Sequence, residues 1–590
     1  MTVTAMSGNY DPAASRFLNA LMREWGGWRI IGAAETPCMS SAAGSVLHLT
    51  LPTSCAVVLV PIAHLSKACY HAFAFPMRII RDGAAPEPIA FVDLVTLLLR
   101  EPDIGGRVSD RARHIFLRRV IDSALAIAEI GQVRGLDRPF MASDPSFIDA
   151  EQALRFGHAA HPSPRSRDEF THEDSLRFGP EYGNGFPLRW WAVDPDLFAS
   201  GSVTPVDAAK AMRALAALDP AFSARAEKAA NKNLIPIHPW QAARLMQDPA
   251  ISWMMSDGLI TDLGLGGPSF RATSSLRAVH SSAAPWMLKF SLSLRLTNSR
   301  RLIEAHECAR GLAIHRLMTG PVGQALKARC PRFHVMGEPA WLALRERDGP
   351  LIRETMVTLR ENPFMGEHQQ PAAVLAALCE RHPDERGSHL ADLINRIAKA
   401  EGERPTEVAE RWFQRFLGIA VEPFLVAQGA FGLLFGAHQQ NLVLGLRDGW
   451  PDALYFRDCQ GTGYLSSFLP MLREHLPEAG SDKDHVFDAE TAARIVGYYL
   501  FVNGVFAVVG ALGAAGLADE DRLFAQCRAF LERLASSGLE SRTCLDHLLS
   551  SPTIGAKGNF MLSLGNVNEN TDVTDPLAAY VQLANPLAQR

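Results

Sequence analysis

From Ile495 to Ala518 the chain carries no charged side chain. A run of that length either crosses a bilayer, for which about 20 apolar residues suffice, or is buried inside a domain with a large core. Asn503 and the glycines Gly504, Gly510, Gly513 and Gly516 interrupt it, and no cluster of Lys or Arg flanks it. The segment therefore reads as a buried helix rather than a membrane span, which commits the fold to a core able to surround it. With 590 residues the chain has the length for two to four domains or lobes.

Charge and cysteine usage narrow the partners. Against 58 Lys and Arg stand 63 Asp and Glu, a net charge of −5, and no long basic run occurs. That excludes a nucleic-acid or anionic-membrane footprint, so any positive site must come from a few converging side chains. The nine cysteines form no CxxC pair, and the closest group, Cys38, Cys55 and Cys69, has no zinc-like spacing. Reduced thiols in a reducing compartment are expected. The opening MTVTAMSGNYDPAASRF lacks the basic start and apolar core of a signal peptide, so a cytoplasmic protein is expected.

Along the chain, helical patterns at Ala13–Trp25, Phe91–Leu99 and Arg111–Ile130 alternate with strand-like runs at Val46–Leu51 and Ala56–Ile62. A turn-rich, His-dotted loop follows at 156–170. Residues 190–360 look mixed, with strands concentrated at 270–297. Beyond Arg360 helices dominate to Leu549, broken by a strand pair at Leu442–Leu444 and Leu454–Arg457. The whole reads as α+β, with soft boundaries near 165 and 370.

Residues 274–301, SSLRAVHSSAAPWMLKFSLSLRLTNSRR, hold the most informative pattern. Lys289, Ser291, Ser293, Arg295 and Thr297 alternate with Phe290, Leu292, Leu294 and Leu296, as in a half-buried antiparallel strand. On such a face Ser291 and Ser293 are as readily solvated as functional, whereas Lys289, Arg277 and Arg301 point to a ligand. Thr297, Asn298 and Ser299 read as caps for a helix with apolar positions Leu302, Ile303, Ala305, Ala309, Leu312, Ala313 and Leu317. That predicts Arg300 and Arg301 in a first helical turn, where each opposes the dipole by about 0.3–1 kcal/mol. A bound carboxylate or phosphate would reverse the sign.

A second polar group lies in FGAHQQNLVL, 435–444, where His438, Gln439, Gln440 and Asn441 precede an apolar run. They must pair with one another, reach solvent or meet a ligand. Asp458 follows Asn441 in YFRDCQG, and an amide oxygen with a carboxylate suits a magnesium ion that also touches nucleotide phosphates. Kinase-like phosphotransferases use such a pair with a strand lysine, but also a carboxylate base two residues after the His. Here that position is Gln440, so a nucleotide site serving another reaction fits better. GxxxxGK[ST], GxGxxG after a strand and GxSxG are absent, and HECAR at 306–310 has Arg310 where HExxH needs its second His. His238 in HPWQ, His161, His306, His315 and Cys459 read as structural or surface residues.

Taken in order, GHAAHPSPRSR, HPWQ, SSLRA with LKFSLSLRLTNSRR, LRENP, AHQQN and FRDCQG resemble the IucA/IucC-type synthetases, which make siderophores without a nonribosomal peptide synthetase. The resemblance runs from about residue 150 to YVQLANPL near the C-terminus. It implies a multi-lobed cupped hand: a thumb at 1–165, fingers with mixed or antiparallel sheet at 166–370, and a mainly helical palm at 371–590. It implies an ATP- and magnesium-dependent ligase that adenylates a polycarboxylate, citrate above all, and condenses it with an amine or alcohol, releasing AMP and pyrophosphate. α-Ketoglutarate or a citryl-monoamide as the acid, or kinase-like phosphotransfer, are the alternatives, and a homodimer is expected. By the family's motifs Ser275, Arg277 and Lys289 contact ATP, with His158 and Arg165 to Arg167 covering it. Thr297, Arg301, His438 and Gln440 hold the carboxylate substrate, Asn441 and Asp458 the Mg2+, and Lys289, Arg301 and His438 carry the catalysis. Three positions depart from the pattern: Ala278 replaces a Thr, Gly436 a Glu two residues before the His, and Ser563 an Arg.

Overall fold

The computed structural model describes residues 11–588 apart from 33–34, 36–43, 134–143, 298, 348, 367–368, 383–386, 482–484 and 569–576; the start of the chain, Cys38 and Asn298 thus lie outside the described residues. The first helix, Pro12–Glu24, begins where Asp11 accepts the N–H groups of Ala13 and Ala14. It buries Phe17, Leu18 and Leu21 against an antiparallel sheet that includes Ser45–Leu51 and Ala56–His64 and against the helices Phe91–Leu98 and Asp110–Val133. These elements match the expected ones to within a few residues.

The second core lies on an eight-stranded sheet in which every neighbouring pair is antiparallel. Trp286–Phe290 sits inside it, between Ala278–His280 and Val357–Glu361, so Lys289 lies opposite Ala278 on one side and Thr358 on the other. The alternation at 289–297 is real but is not one strand. It breaks at Ser291, whose N–H donates to Met356 O and whose hydroxyl accepts the Ile303 N–H, and resumes at Leu292–Leu296 in a separate hairpin. Ser291 is buried rather than solvated.

The expected helix start is also corrected. Ser299–Arg301 is a strand that folds back on Leu292–Leu296 through Thr297, which adopts a left-handed φ of 54°. The helix begins only at Ala305, where Glu304 and Glu307 form a reciprocal capping box. Arg300 and Arg301 therefore lie outside the first turn, and helix-dipole repulsion gives no reason for an anion beside them.

The third and largest core surrounds the uncharged segment. It forms the end of the continuous helix Ala489–Ala514, with a π-helical stretch at Gly497–Val505, and Leu500, Phe501, Val502, Val508, Val509 and Leu512 are almost inaccessible. Burying such side chains contributes about 1.5–3 kcal/mol each, which accounts for a long charge-free helix without a bilayer. Beside it Leu442–Arg447 and Trp450–Phe456 form a hairpin closed by Asp448 and Gly449, both at positive φ, as a type I′ turn requires. Because Leu442 lies opposite Phe456, Asn441 and Asp458 emerge from the same end of this hairpin.

Candidate active site

A cavity of about 1420 Å³ is lined by residues belonging to all three regions, including His158, Ser275, Arg277, Lys289, Thr297, Arg301, His438, Gln440, Asn441 and Asp458. The fold thus brings together the residues singled out from sequence. Its electrostatic centre is Lys289, 4% exposed, whose Nζ donates to Asp458 Oδ1 at 2.5 Å and to Gln460 Oε1 at 2.6 Å. Asp458 has φ 82°, a left-handed conformation that costs a non-glycine residue about 1–3 kcal/mol and collects at functional sites. Burial works against its ionisation, but Lys289, Arg360 and Arg277 outweigh that and hold its carboxyl below the usual carboxylate range.

The shell around this pair is rigid. Arg360 is locked on buried Glu338 at 2.6 Å and stands 3.9 Å from Asp458. Gln460 donates through Nε2 to Thr358 and its main-chain carbonyl accepts from Arg310, whose Nη1 also lies 2.8 Å from His485 Nε2. Arg457, the residue that follows the strand Trp450–Phe456, is bound to Glu151 at 2.9 Å and donates to the Gln440 carbonyl.

The four polar residues have separate fates. Gln439 donates to Asn503 Oδ1 at 2.9 Å, so the polar interruption of the apolar helix and one polar residue of the loop satisfy each other. Asn441 donates to the Gly436 carbonyl. Gln440 reaches Ser274 Oγ at 3.4 Å. His438 faces the cavity with its ring centroid 6.0 Å from that of Tyr499. Burial, with Arg457, Arg301 and Lys557 adding and Asp458 opposing, pushes its pKa down to about 4, so the ring is neutral at pH 7.

Among the expected nucleotide residues, Ser275 accepts the Ala278 N–H and shapes the turn that carries Arg277, whose guanidinium donates to the Arg301 carbonyl. Arg301 in turn donates to Thr297 Oγ1 and the Leu296 carbonyl. His158 is held neutral by burial and accepts the Ala160 N–H. Arg165 lines the cavity, but its guanidinium donates to the Leu154 and Arg155 carbonyls and meets Glu181 at 3.4 Å, so most of its donors hold the loop together. His238 caps the helix Pro239–Leu245 through Nδ1, with its pKa pushed down by burial to about 3, and Cys459 is a buried thiol with its pKa pushed up.

Sequence reasoning did not single out Gln460, Arg310, His485, Tyr499 or Asn503 as site residues. Arg310 was visible only as the residue that spoils HExxH, and Asn503 only as a break in an apolar run; their partners, Gln460 and Gln439, are 150 and 64 residues away.

Residues 146–380 match the IucA / IucC family and residues 410–572 a family described as ferric iron reductase FhuF-like transporter. The chain is 31% identical to the N(2)-citryl-N(6)-acetyl-N(6)-hydroxylysine synthase of Vibrio mimicus over 98% of this chain and 96% of that protein. It is 34% identical to the rhizobactin siderophore biosynthesis protein RhbC of Rhizobium meliloti, over 91% and 92%. The solved structure of ATP-bound aerobactin synthetase IucA from Klebsiella pneumoniae superposes with a TM-score of 0.90 at 32% identity, covering 98% of this chain and all of that one. With identity and fold both sustained over nearly the full length, this chain belongs to the IucA/IucC family of siderophore synthetases.

Proposed function

We propose that the cavity activates a carboxylate of citrate with ATP and condenses it with an amine. The observation that carries this reading is the pair of buried Lys289 with partly exposed Asp458, flanked by Arg277, Arg301 and Arg360, beside a neutral His438 followed at the second position by Gln440 rather than a carboxylate base. Relatives named for citryl–lysine and, in Bacillus anthracis at 31% identity, spermidine–citrate ligation support citrate as the acid.

In this reading Ser275 contacts the nucleotide, Arg277 and Lys289 hold the phosphates of ATP, and His158 with Arg165 to Arg167 closes over it. Thr297, Arg301, His438 and Gln440 orient citrate. A citrate carboxylate oxygen attacks the α-phosphorus and pyrophosphate leaves; the amine nitrogen then attacks the carbonyl carbon, AMP leaves and the nitrogen gives up a proton. A polyanion approaching a triphosphate faces strong repulsion, and preorganised cations in a buried site offset it where charge builds up. The donor set also fits magnesium: Asn441 Oδ1 and Asp458 Oδ2 are hard oxygens outside the hydrogen bonds formed among the described residues, and Asp458 stays ionised. Bound there, the ion would neutralise phosphate charge. The lobes at 1–165, 166–370 and 371–590 would then act as thumb, fingers and palm around the cavity.

Release of AMP and pyrophosphate from ATP, measured with citrate, α-ketoglutarate and succinate and a panel of amines, tests the proposal. Citrate-dependent pyrophosphate release is expected; ADP as product would select phosphotransfer instead, and no citrate-dependent release with any amine would remove the reading.

A further inference from the structure

Away from Lys289 and Asp458, the helix His389–Glu401 starts beside the cavity. Ser388 caps it by accepting the Ala391 N–H, and Gly387 and Ser388 line the cavity together with Arg381. Just before the helix, Arg381 pairs with Ser388 as an antiparallel bridge, and the His382 N–H donates to the Gly387 carbonyl at 2.9 Å. That pairing sets His382 against the first turn of the helix, where His389 and Asp392 are three residues apart and so share a face.

The three side chains converge. His382 Nε2 lies 2.7 Å from Asp392 Oδ2, and the rings of His382 and His389 meet edge-on with centroids 4.5 Å apart. One donor atom from each of the three residues falls within 4.8 Å of the other two. Among the described residues, His, Cys, Asp and Glu donors come together in this way only here. An ion bonded to each donor at about 2.0–2.2 Å holds them about 3.3–3.5 Å apart when tetrahedral, so small rotations close the site. Most of that movement falls to Asp392, whose side chain is 32% exposed, whereas both histidines are buried. The open side next to Asp392 gives an ion an entry path and room for a water ligand. A hydrogen bond needs only His382 and Asp392; the second buried imidazole at the same point supplies what a metal requires. Two imidazole nitrogens and one carboxylate oxygen suit a divalent first-row ion such as Zn2+, whereas Mg2+ and Ca2+ take oxygen donors.

We propose that His382, His389 and Asp392 bind one divalent transition-metal ion, Zn2+ by preference, with water completing a four-coordinate shell. Coordination needs the Nε2 lone pair of His382, so the proton that its hydrogen bond to Asp392 requires leaves that atom. Bound there, the ion ties His382 to the helix, and with it the cavity-lining Arg381, Gly387 and Ser388. It is a structural ion rather than a participant in acyl transfer. It is separate from the magnesium proposed at Asn441 and Asp458, whose donors are all oxygens, and it stands whether or not citrate is the acid.

The test uses the untagged full chain, stripped of metal with a chelator. Zn2+ titrated by calorimetry in excess Mg2+ is expected to bind at one tight equivalent per chain. Co2+ as a spectroscopic probe should give the intense visible bands of a four-coordinate nitrogen and oxygen site. It should lack the near-ultraviolet charge-transfer band of a Co2+–thiolate bond, which separates this site from the cysteines. Asp392→Asn, at a partly exposed position, and His382→Gln should each weaken Zn2+ at least about tenfold, the loss that even an outer-shell partner causes. Zn2+ should also raise the urea midpoint of the native chain and not of the variants, because an ion that binds the folded state alone stabilises it. No Zn2+ uptake in excess Mg2+, a thiolate band with Co2+, an unmoved urea midpoint, or unchanged Zn2+ affinity in Asp392→Asn overturns the proposal. Should His382→Gln fail to fold, Asp392→Asn and the Co2+ spectrum of the native chain still decide.

Discussion

Lys289→Met removes one charge while keeping most of the stem that packs in the sheet. Two bonds vanish, to Asp458 Oδ1 and to Gln460 Oε1. If Lys289 stabilises the charge that builds on the phosphates, its loss resembles removal of one preorganised donor from a dry site, about 10²–10³ in rate or 2.7–4 kcal/mol. The cost to stability is smaller. Gln460, 3% exposed, keeps Thr358 and Arg310 but leaves one oxygen unpaired, about 1–3 kcal/mol. Asp458, with a side chain 32% exposed and Arg360 at 3.9 Å, is partly compensated by solvent and by that second cation. Burying Met in place of an ammonium offsets part of the remainder. Citrate-dependent pyrophosphate release at saturating ATP should therefore fall at least about a hundredfold, with a urea-unfolding free energy lowered by less than about 3 kcal/mol. Lys289→Arg should not rescue, because the planar guanidinium cannot occupy the ammonium's place between Asp458 and Gln460. Turnover within threefold of the native enzyme in the Met variant would refute the assignment. A stability loss large enough to explain the rate loss would refute its electrostatic origin.

Asp458→Asn should raise the Mg2+ concentration needed for half-maximal pyrophosphate release about tenfold or more, since one hard anionic ligand is lost; an unchanged Mg2+ response rejects the metal role. Asn503→Leu should cost about 1–3 kcal/mol because Gln439 is left unpaired in the interior, and adding Gln439→Leu should recover most of it; additive losses in urea unfolding would show that the pair is not coupled. Acid should weaken the fold early. His71, His238, His280 and His438 have pKa values depressed to about 4, 3, 4 and 4, so the unfolded chain takes up their protons first as pH falls below about 6.5. Each then removes about 1.4 kcal/mol per pH unit down to its folded value. Glu24, raised to about 7 by burial, opposes one of them as pH falls from 7 toward 4.5. A urea midpoint that stays flat from pH 7 to pH 5 would contradict this balance.

Period-2 alternation located Lys289 on a strand, and the spacing of Asn441 and Asp458 fitted a pair of neighbouring strands, because both depend on local pattern and on one hairpin. The Arg301 environment was misread because two local signals compete there. The apolar spacing after Leu302 is helical, yet the chain first closes a hairpin at Thr297, and the Glu304–Glu307 capping box marks the true start. That box was legible as Glu-x-x-Glu, but Thr297 and Ser299 are stronger N-cap types and masked it. The partners of Gln439 and Gln460 were not legible at all. A buried amide bond between residues 64 apart follows from how a helix and a loop pack, which no periodicity encodes.

Gly436 connects the fold to the choice of nucleophile. Its carbonyl accepts from Asn441 and from the His438 N–H, so its backbone builds the loop whatever its side chain. A Cβ there would lie 3.7 Å from the Gly461 carbonyl, an ordinary contact, and its φ is not in the left-handed region. Space therefore does not require glycine, and the missing carboxylate is a matter of charge. Gly436 lines the cavity close to His438 in the chain, where a Glu would place an anionic side chain at the cavity wall. A charge pair at 4 Å is worth about 4 kcal/mol at an effective dielectric of 20, and desolvation takes back much of it. Gly436→Glu should thus shift the kcat/KM ratio of 1,3-diaminopropane to N6-acetyl-lysine toward the diamine by about tenfold, equivalent to about 1.4 kcal/mol. It should also raise the KM for citrate, which meets the same carboxylate as a like charge. If the ratio does not move while the citrate KM rises, the new carboxylate reaches the acid but not the amine, and the nucleophile must approach citrate from a side other than the one Gly436 faces.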